Sequence, residues 1–210
     1  MSVQVCSLRQ TSQERVTVGL DNGSEIPATL SVAAELRLYV GRVLEEAELQ
    51  RLRSSAALAL CRNRAMELLS YRPMSCKELL DKLVQKGEDP DTAEAAVAWL
   101  AERGFLDDVR YAGMVVRHYA AKGYGAGRIR QELFRRGVER ELWEQALQEL
   151  PEDPGRLDAF LASRLKDPSD RAQIQKVSAA LSRRGYSWEE IRSGLARFRA
   201  ELEGDTIEDE

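Results

Sequence analysis

The chain has 210 residues, 43% of them hydrophobic, 31% charged and 6% aromatic, with a formal net charge of −4. That is enough apolar content for a folded protein, and high charge with few aromatics suits helices with broad solvated faces. Three isolated cysteines (Cys6, Cys61, Cys76) and a single histidine (His118) argue against a disulfide scaffold or a clustered zinc site.

No apolar run approaches membrane-spanning length, and MSVQVCSLRQ lacks the apolar stretch of a signal peptide, so a soluble cytoplasmic protein is expected. The first elements are β. Val16 and Val18 alternate with polar residues, Asp21-Asn22-Gly23-Ser24 supplies a tight turn, and Ile26 begins a second strand. Pro27 shortens that strand or confines it to an edge. Ser31 reads as the N-cap of a short helix over Val32–Val40, stopped near Gly41. From about residue 45 the periodicity is helical, as in Leu58, Cys61, Ala65 and Leu68. Ser75-x-x-Glu78 and Ser187-x-x-Glu190 have the form of capping boxes. Asp89-Pro90, Asp153-Pro154 and Asp167-Pro168 each place an acid at the N-cap and proline at the first helical position.

An internal repeat organises the helical part. Aligning residues 77–87, 127–137 and 176–185 superimposes Leu79, Ile129 and Val177, then Leu83, Leu133 and Leu181, then Gly87, Gly137 and Gly185. Ten residues after each glycine stands an apolar residue, Val97, Leu147 or Leu195. Spacings near fifty residues suit three short helices per unit with the aligned helix in the middle. Gly87, Gly104, Gly137 and Gly185 fall where helices end. The expected organisation is an N-terminal β-hairpin region (1–56), three three-helix repeats (57–107, 108–151, 152–200) and an acidic tail (201–210) expected to be disordered. Stacked repeats should form an elongated, curved, mainly α body.

Six of the 35 acids fall in residues 201–210, leaving the rest nearly balanced against 31 bases. Residues 110–140 are basic: Arg110, Arg117, Lys122, Arg128, Arg130, Arg135, Arg136 and Arg140 face only Glu132 and Glu139 in that window. Internal salt-bridge pairing should therefore be limited. With Ile129, Leu133 and Val138 turned to the core, the arginines should project outward as an anion-binding surface, either for a phosphate backbone or for an acidic protein. Nucleic-acid binding there would be salt-sensitive and indifferent to sequence. No catalytic arrangement stands out. Gly123-Tyr124-Gly125-Ala126-Gly127 follows no strand and reads as a helix–helix turn, not a phosphate loop. Asp107-Asp108 reads as a cap and first-turn acid, favourable to the helix dipole, and His118 as a surface residue. Neither cofactor nor metal is expected.

Ser75-Cys-Lys-Glu-Leu79 through Lys86-Gly87, Gly104-Phe-Leu-Asp-Asp108 with Tyr111-Ala112, and Lys122-Gly-Tyr-Gly125 through Arg128-Ile-Arg-Gln-Glu-Leu133 and Arg136-Gly-Val138 resemble the RecX family over roughly residues 57–200. The resemblance implies tandem three-helix repeats and a non-enzymatic modulator that binds the RecA–single-stranded DNA filament; a monomer is expected. Such a protein restrains RecA's ATP hydrolysis and strand exchange in recombination, DNA repair and the SOS response. Weak, salt-sensitive binding to single-stranded DNA is a further implied property. On charge grounds the contact residues are expected to be Arg117, Lys122, Arg128, Arg130, Arg135 and Arg136. The alternatives are a general DNA-binding protein using helix-turn-helix-like pairs and an adaptor solenoid for an unrelated peptide.

Overall fold

The computed structural model describes residues 2–150 and 154–205. The chain divides into two compact units, Met1–Asp107 and Asp108–Glu210.

The N-terminal region is a four-stranded antiparallel sheet, more than the expected hairpin. β1 (Val3–Gln10), β2 (Arg15–Leu20), β3 (Glu25–Thr29) and the short β4 (Val43–Leu44) lie in the order β3-β2-β1-β4. The expected hairpin is β2–β3, closed by the Leu20 N–H donating to Ser24 O at 2.9 Å, with Gly23 at φ +80°. Pro27 sits within β3, opposite Thr17. β3 is an edge strand, where the missing N–H removes no necessary ladder bond. Val5, Val16, Val18, Leu20, Ile26 and Ala28 form the buried face of the sheet.

The helix expected at Val32–Val40 is instead α1, Leu30–Glu35. It starts two residues earlier because Thr29, not Ser31, caps it by accepting a hydrogen bond from the Val32 N–H. It stops early because Arg37 takes φ +50°, a left-handed conformation that no helix can continue through.

α2 (Glu46–Tyr71) is a single 26-residue helix serving two cores. Its first half buries Leu49, Leu52 and Ala56 against the sheet. Its second half buries Cys61 and Ala65 against α3 (Cys76–Gln85) and α4 (Pro90–Glu102), where Leu79, Leu83, Ala93, Ala96, Val97 and Leu100 complete the cluster. Position 56 therefore lies mid-helix. The Cys61 thiol is wholly buried, and burial, reinforced by the charge of Glu88, pushes it up to about 11. Cys6 is exposed. At neutral pH iodoacetamide should modify Cys6 in the native protein and reach Cys61 only on unfolding, because the thiolate is the reacting species. Equal labelling of both thiols, read by mass spectrometry, would contradict this packing.

The second unit repeats the three-helix plan twice. α5 (Asp108–Ala121), α6 (Ala126–Arg135) and α7 (Trp143–Leu147) enclose Tyr111, Ala112, Val115, Val116, Ile129, Leu133, Val138, Ala146 and Leu147. α8 (Pro154–Arg164), α9 (Arg171–Arg183) and α10 (Trp188–Asp205) enclose Leu157, Leu161, Leu165, Val177, Leu181, Ile191, Leu195 and Phe198. The aligned helices are thus α3, α6 and α9, each central in its group, and every aligned apolar position is buried.

Caps explain most boundaries. Ser75 accepts from the Glu78 N–H at 3.0 Å, Asp89 from the Thr92 N–H at 3.0 Å, and Ser187 and Glu190 satisfy each other's backbone N–H groups. Asp167 is a correction. It accepts from the Ser169 N–H at 2.8 Å in a local turn, and Asp170 caps α9 three residues later through the N–H groups of Ala172 and Gln173. Asp153 lies outside the described residues. Of the tail expected to be disordered, residues 201–205 continue α10, and 206–210 lie outside the described residues.

Candidate functional site

The cations expected to form a binding surface lie on α5, on α6 and its C-terminal cap, and in the turn between the two helices. Pairing inside the basic window is limited to Glu132, as expected, yet most of these cations are engaged within the protein because acids outside the window reach them. The organising group is Glu132, whose side chain is only 4% exposed. Its position on α6, one residue before Leu133, turns the carboxylate toward the core. There Arg128 approaches one oxygen at 3.3 Å, while Arg135 and the Tyr119 hydroxyl donate to the other at 3.0 Å each. Burial by itself would raise the Glu132 carboxyl. The hydrogen bonds from Arg135 and Tyr119, with the charges of Arg135 and Arg128, outweigh it and hold the group below the usual carboxylate range.

Two further pairings reach acids beyond the basic window. Arg130 donates to Glu144 at 3.1 Å and Arg117 pairs with Glu149. Arg136 donates to the Tyr111 hydroxyl at 2.8 Å. Burial opposes its charge, yet the hydrogen bonds to Tyr119 and Tyr111 hold its pKa above the ordinary arginine value. Lys122 lies 5.6 Å from the Tyr119 ring centroid with no carboxylate at ion-pair distance among the described residues. Of the six expected contact residues, the structure gathers Arg128, Arg135 and Arg136 around Tyr119 and Glu132, and spends Arg117 and Arg130 on separate surface pairs. Reversing Arg135 and Arg136 to glutamate would therefore put carboxylates beside Glu132 and Tyr111, so a loss of binding by that variant would not isolate a contact.

The glycine-rich segment 123–127 forms the expected helix–helix turn between α5 and α6, and it has a second role. Gly123 does take φ +75°. Gly125 and Gly127, however, are small because another backbone lies on them. The Gly125 N–H donates to Arg184 O and the Gly127 N–H to Gly185 O, both at 2.9 Å. A Cβ at Gly125 would fall 2.6 Å from Gly185 O. α6 has no side-chain cap, so its orphan N–H groups are satisfied by carbonyls at the C-terminal end of α9. That places the negative end of one helix dipole against the positive end of another. Arg184 and Tyr186 add hydrogen bonds to Gly123 O at 3.3 and 3.4 Å. The third three-helix group is thereby fixed to the second.

Asp107 and Asp108 stand at the start of α5, and exposed His118 lies edge-on to Tyr119. Among the described residues no cluster of His, Cys, Asp and Glu is placed to hold a metal ion, and no helix is long and apolar enough to cross a membrane. Sequence reasoning missed Glu132 as an organising centre and the roles of Tyr111, Tyr119, Glu144 and Glu149. Only the i,i+3 and i,i+4 spacings of Arg135 and Arg128 about Glu132 could have signalled any of it.

Comparison with known proteins agrees with this architecture. Family models described as the first, second and third three-helix domains of RecX match residues 61–100, 107–147 and 161–195. A regulatory protein RecX of Vibrio parahaemolyticus is 40% identical over 136 residues, covering 63% of this chain and 87% of the relative. The RecX of Xanthomonas axonopodis pv. citri is 39% identical over 141 residues, covering 66% of this chain and 86% of its own length. A crystal structure of regulatory protein RecX superposes with a TM-score of 0.70 at 23% identity, over 90% of this chain and 97% of the other. RecX from Lactobacillus salivarius gives a TM-score of 0.61 at 24% identity, over 69% and 97% respectively. The buried repeat positions, the three matched domains and relatives aligned over most of their length lead to one assignment: the chain belongs to the RecX family of regulatory proteins.

Proposed function

We propose that the protein binds the RecA–single-stranded DNA filament and restrains RecA's ATP hydrolysis and strand exchange, without a catalytic step, cofactor or metal of its own. It acts in the cytoplasm as a monomer. The observation that carries this reading is the family match across all three helical groups. The surface proposed to meet the filament comprises Arg117, Lys122, Arg128, Arg130, Arg135 and Arg136. Guanidinium groups already paired to carboxylates carry less free charge, so direct contact falls most heavily on Lys122, while the paired arginines hold the surface in shape.

The direct test is RecA's DNA-dependent ATP hydrolysis with increasing amounts of the purified chain. A dose-dependent fall is expected, and an unchanged rate with the protein in excess would sink the proposal. Binding to bare duplex, bare single strand and preformed filament at physiological salt separates the alternative: a general DNA-binding protein would hold duplex as tightly as filament. Lys122→Ala should weaken filament binding with an unaltered melting temperature, since no ion pair is lost with it.

A further inference from the structure

Outside the second three-helix group, one pair of cations has no carboxylate at ion-pair distance among the described residues, although Glu102 is near enough for its charge to act on Arg62. Arg62, half-buried on α2, and Arg103, just after α4, both lie against the indole of Trp99, their guanidinium carbons 4.4 and 4.1 Å from a ring centroid. Neighbouring arginines of the same unit find acids, Arg64 with Glu88 and Arg72 with Glu78. Arg62 and Arg103 have no ion pair among the described residues, and the Arg62 Nε is buried without a hydrogen-bond partner. Burial, and after it the charge of Arg103, hold Arg62 below the ordinary arginine value. The indole's π-face offsets part of this repulsion but supplies no acceptor for the N–H groups. Two guanidiniums packed on one indole in that condition have N–H groups to offer an oxyanion.

The fourth member says which oxyanion. Phe105 lies almost parallel to Trp99, 12° between ring planes and 6.5 Å between centroids, and is 53% exposed. A carboxylate-bearing protein segment would use the arginines and leave that open aromatic face unused. A nucleotide uses both, with phosphate on the guanidiniums and a base on the ring. Bases inside a duplex are already stacked, so the strand must be single.

We propose that Arg62, Trp99, Arg103 and Phe105 form a phosphate-and-base site for single-stranded nucleic acid on the first three-helix group. This deepens the nucleic-acid side of the function proposed above, but it requires no contact with the recombinase, so the two can fail separately.

The test is fluorescence anisotropy of a labelled oligothymidylate titrated with the full chain, recombinase absent, over a series of salt concentrations. The wild type should bind at low salt. Arg62→Gln with Arg103→Gln should weaken binding about tenfold or more and reduce the salt slope by about 0.7, the contribution of one single-strand phosphate contact. Phe105→Leu, a change at a half-exposed position, should cost at least about fivefold by loss of stacking. That loss should vanish on an abasic oligonucleotide of equal charge, while the arginine effect remains. Melting temperatures of the variants check folding. If the double variant does not fold, the Phe105→Leu comparison between intact and abasic strands decides alone. No binding by the wild type, an unchanged salt slope in a folded double variant, or equal displacement of the oligonucleotide by polyglutamate of matched charge would each overturn the proposal. Lost oligonucleotide binding with intact inhibition of RecA ATP hydrolysis would support the site while leaving the filament contact in place.

Discussion

Gly185→Ala is expected to destabilise the second unit by about 3 kcal/mol or more and to lower its melting temperature by about 12 °C or more. Two costs combine. Gly185 takes φ +90°, where an added methyl group costs about 1 kcal/mol from conformation alone. The methyl carbon would also fall 2.1 Å from the backbone nitrogen of Arg128. That atom belongs to the first turn of α6 and cannot yield as a flexible side chain could. Relief requires the α9–α10 turn to lift from Gly125 and Gly127, breaking the two 2.9 Å backbone hydrogen bonds that cap α6. Gly87→Ala is the control. Gly87 occupies the aligned position in the first repeat with φ +91° and nothing within 4 Å of its would-be Cβ, so only the conformational cost applies. Comparable melting temperatures for the two variants would mean that α6 is not clamped by the third three-helix group.

The second large effect is expected at Glu132. Glu132→Ala should cost about 2–3 kcal/mol, below the range for breaking a fully buried ion pair, because Arg128 and Arg135 are partly exposed and regain water. Glu132→Gln should fall between, keeping an acceptor for the Tyr119 hydroxyl while losing the charge. The pH dependence follows from the lowered folded pKa. A depressed carboxylate contributes stability that is fully present above its unfolded value, about 4.5, and is lost as pH falls through the folded value. The stability gap between wild type and Glu132→Gln should therefore be widest near neutrality and shrink below about pH 4.5, as read by urea denaturation at each pH. A gap constant across that range would show that the carboxylate is not charged and paired in the native state.

Much of this fold is local in origin and was legible from the residues. Leu83, Leu133 and Leu181 recur at corresponding points of amphipathic helices, the following glycines take positive φ, and Ser75, Asp89 and Ser187 cap the helices they precede. Each depends on neighbours within about four residues. The β-region was half legible. Asn22-Gly23 marked the β2–β3 turn, whereas β1 was not expected. Two-residue β4, held by pairing with Val3 and Gln4, has no local signal.

The sequence by itself determined the repeat, most helix limits (those of α1 and the start of α9 excepted) and, through its motifs, the family. Only the tertiary structure decided which charges are free. Arg117 finds Glu149 32 residues away and Arg130 finds Glu144 14 away, separations that no helical spacing encodes. It also decided why Gly125 and Gly127 are glycines, since the backbone pressed against them arrives from residues 184–186. Both outcomes share a cause: ion pairing and close backbone approach are set by distance in space, and composition counts along the chain assign that distance wrongly once helices fold back on one another.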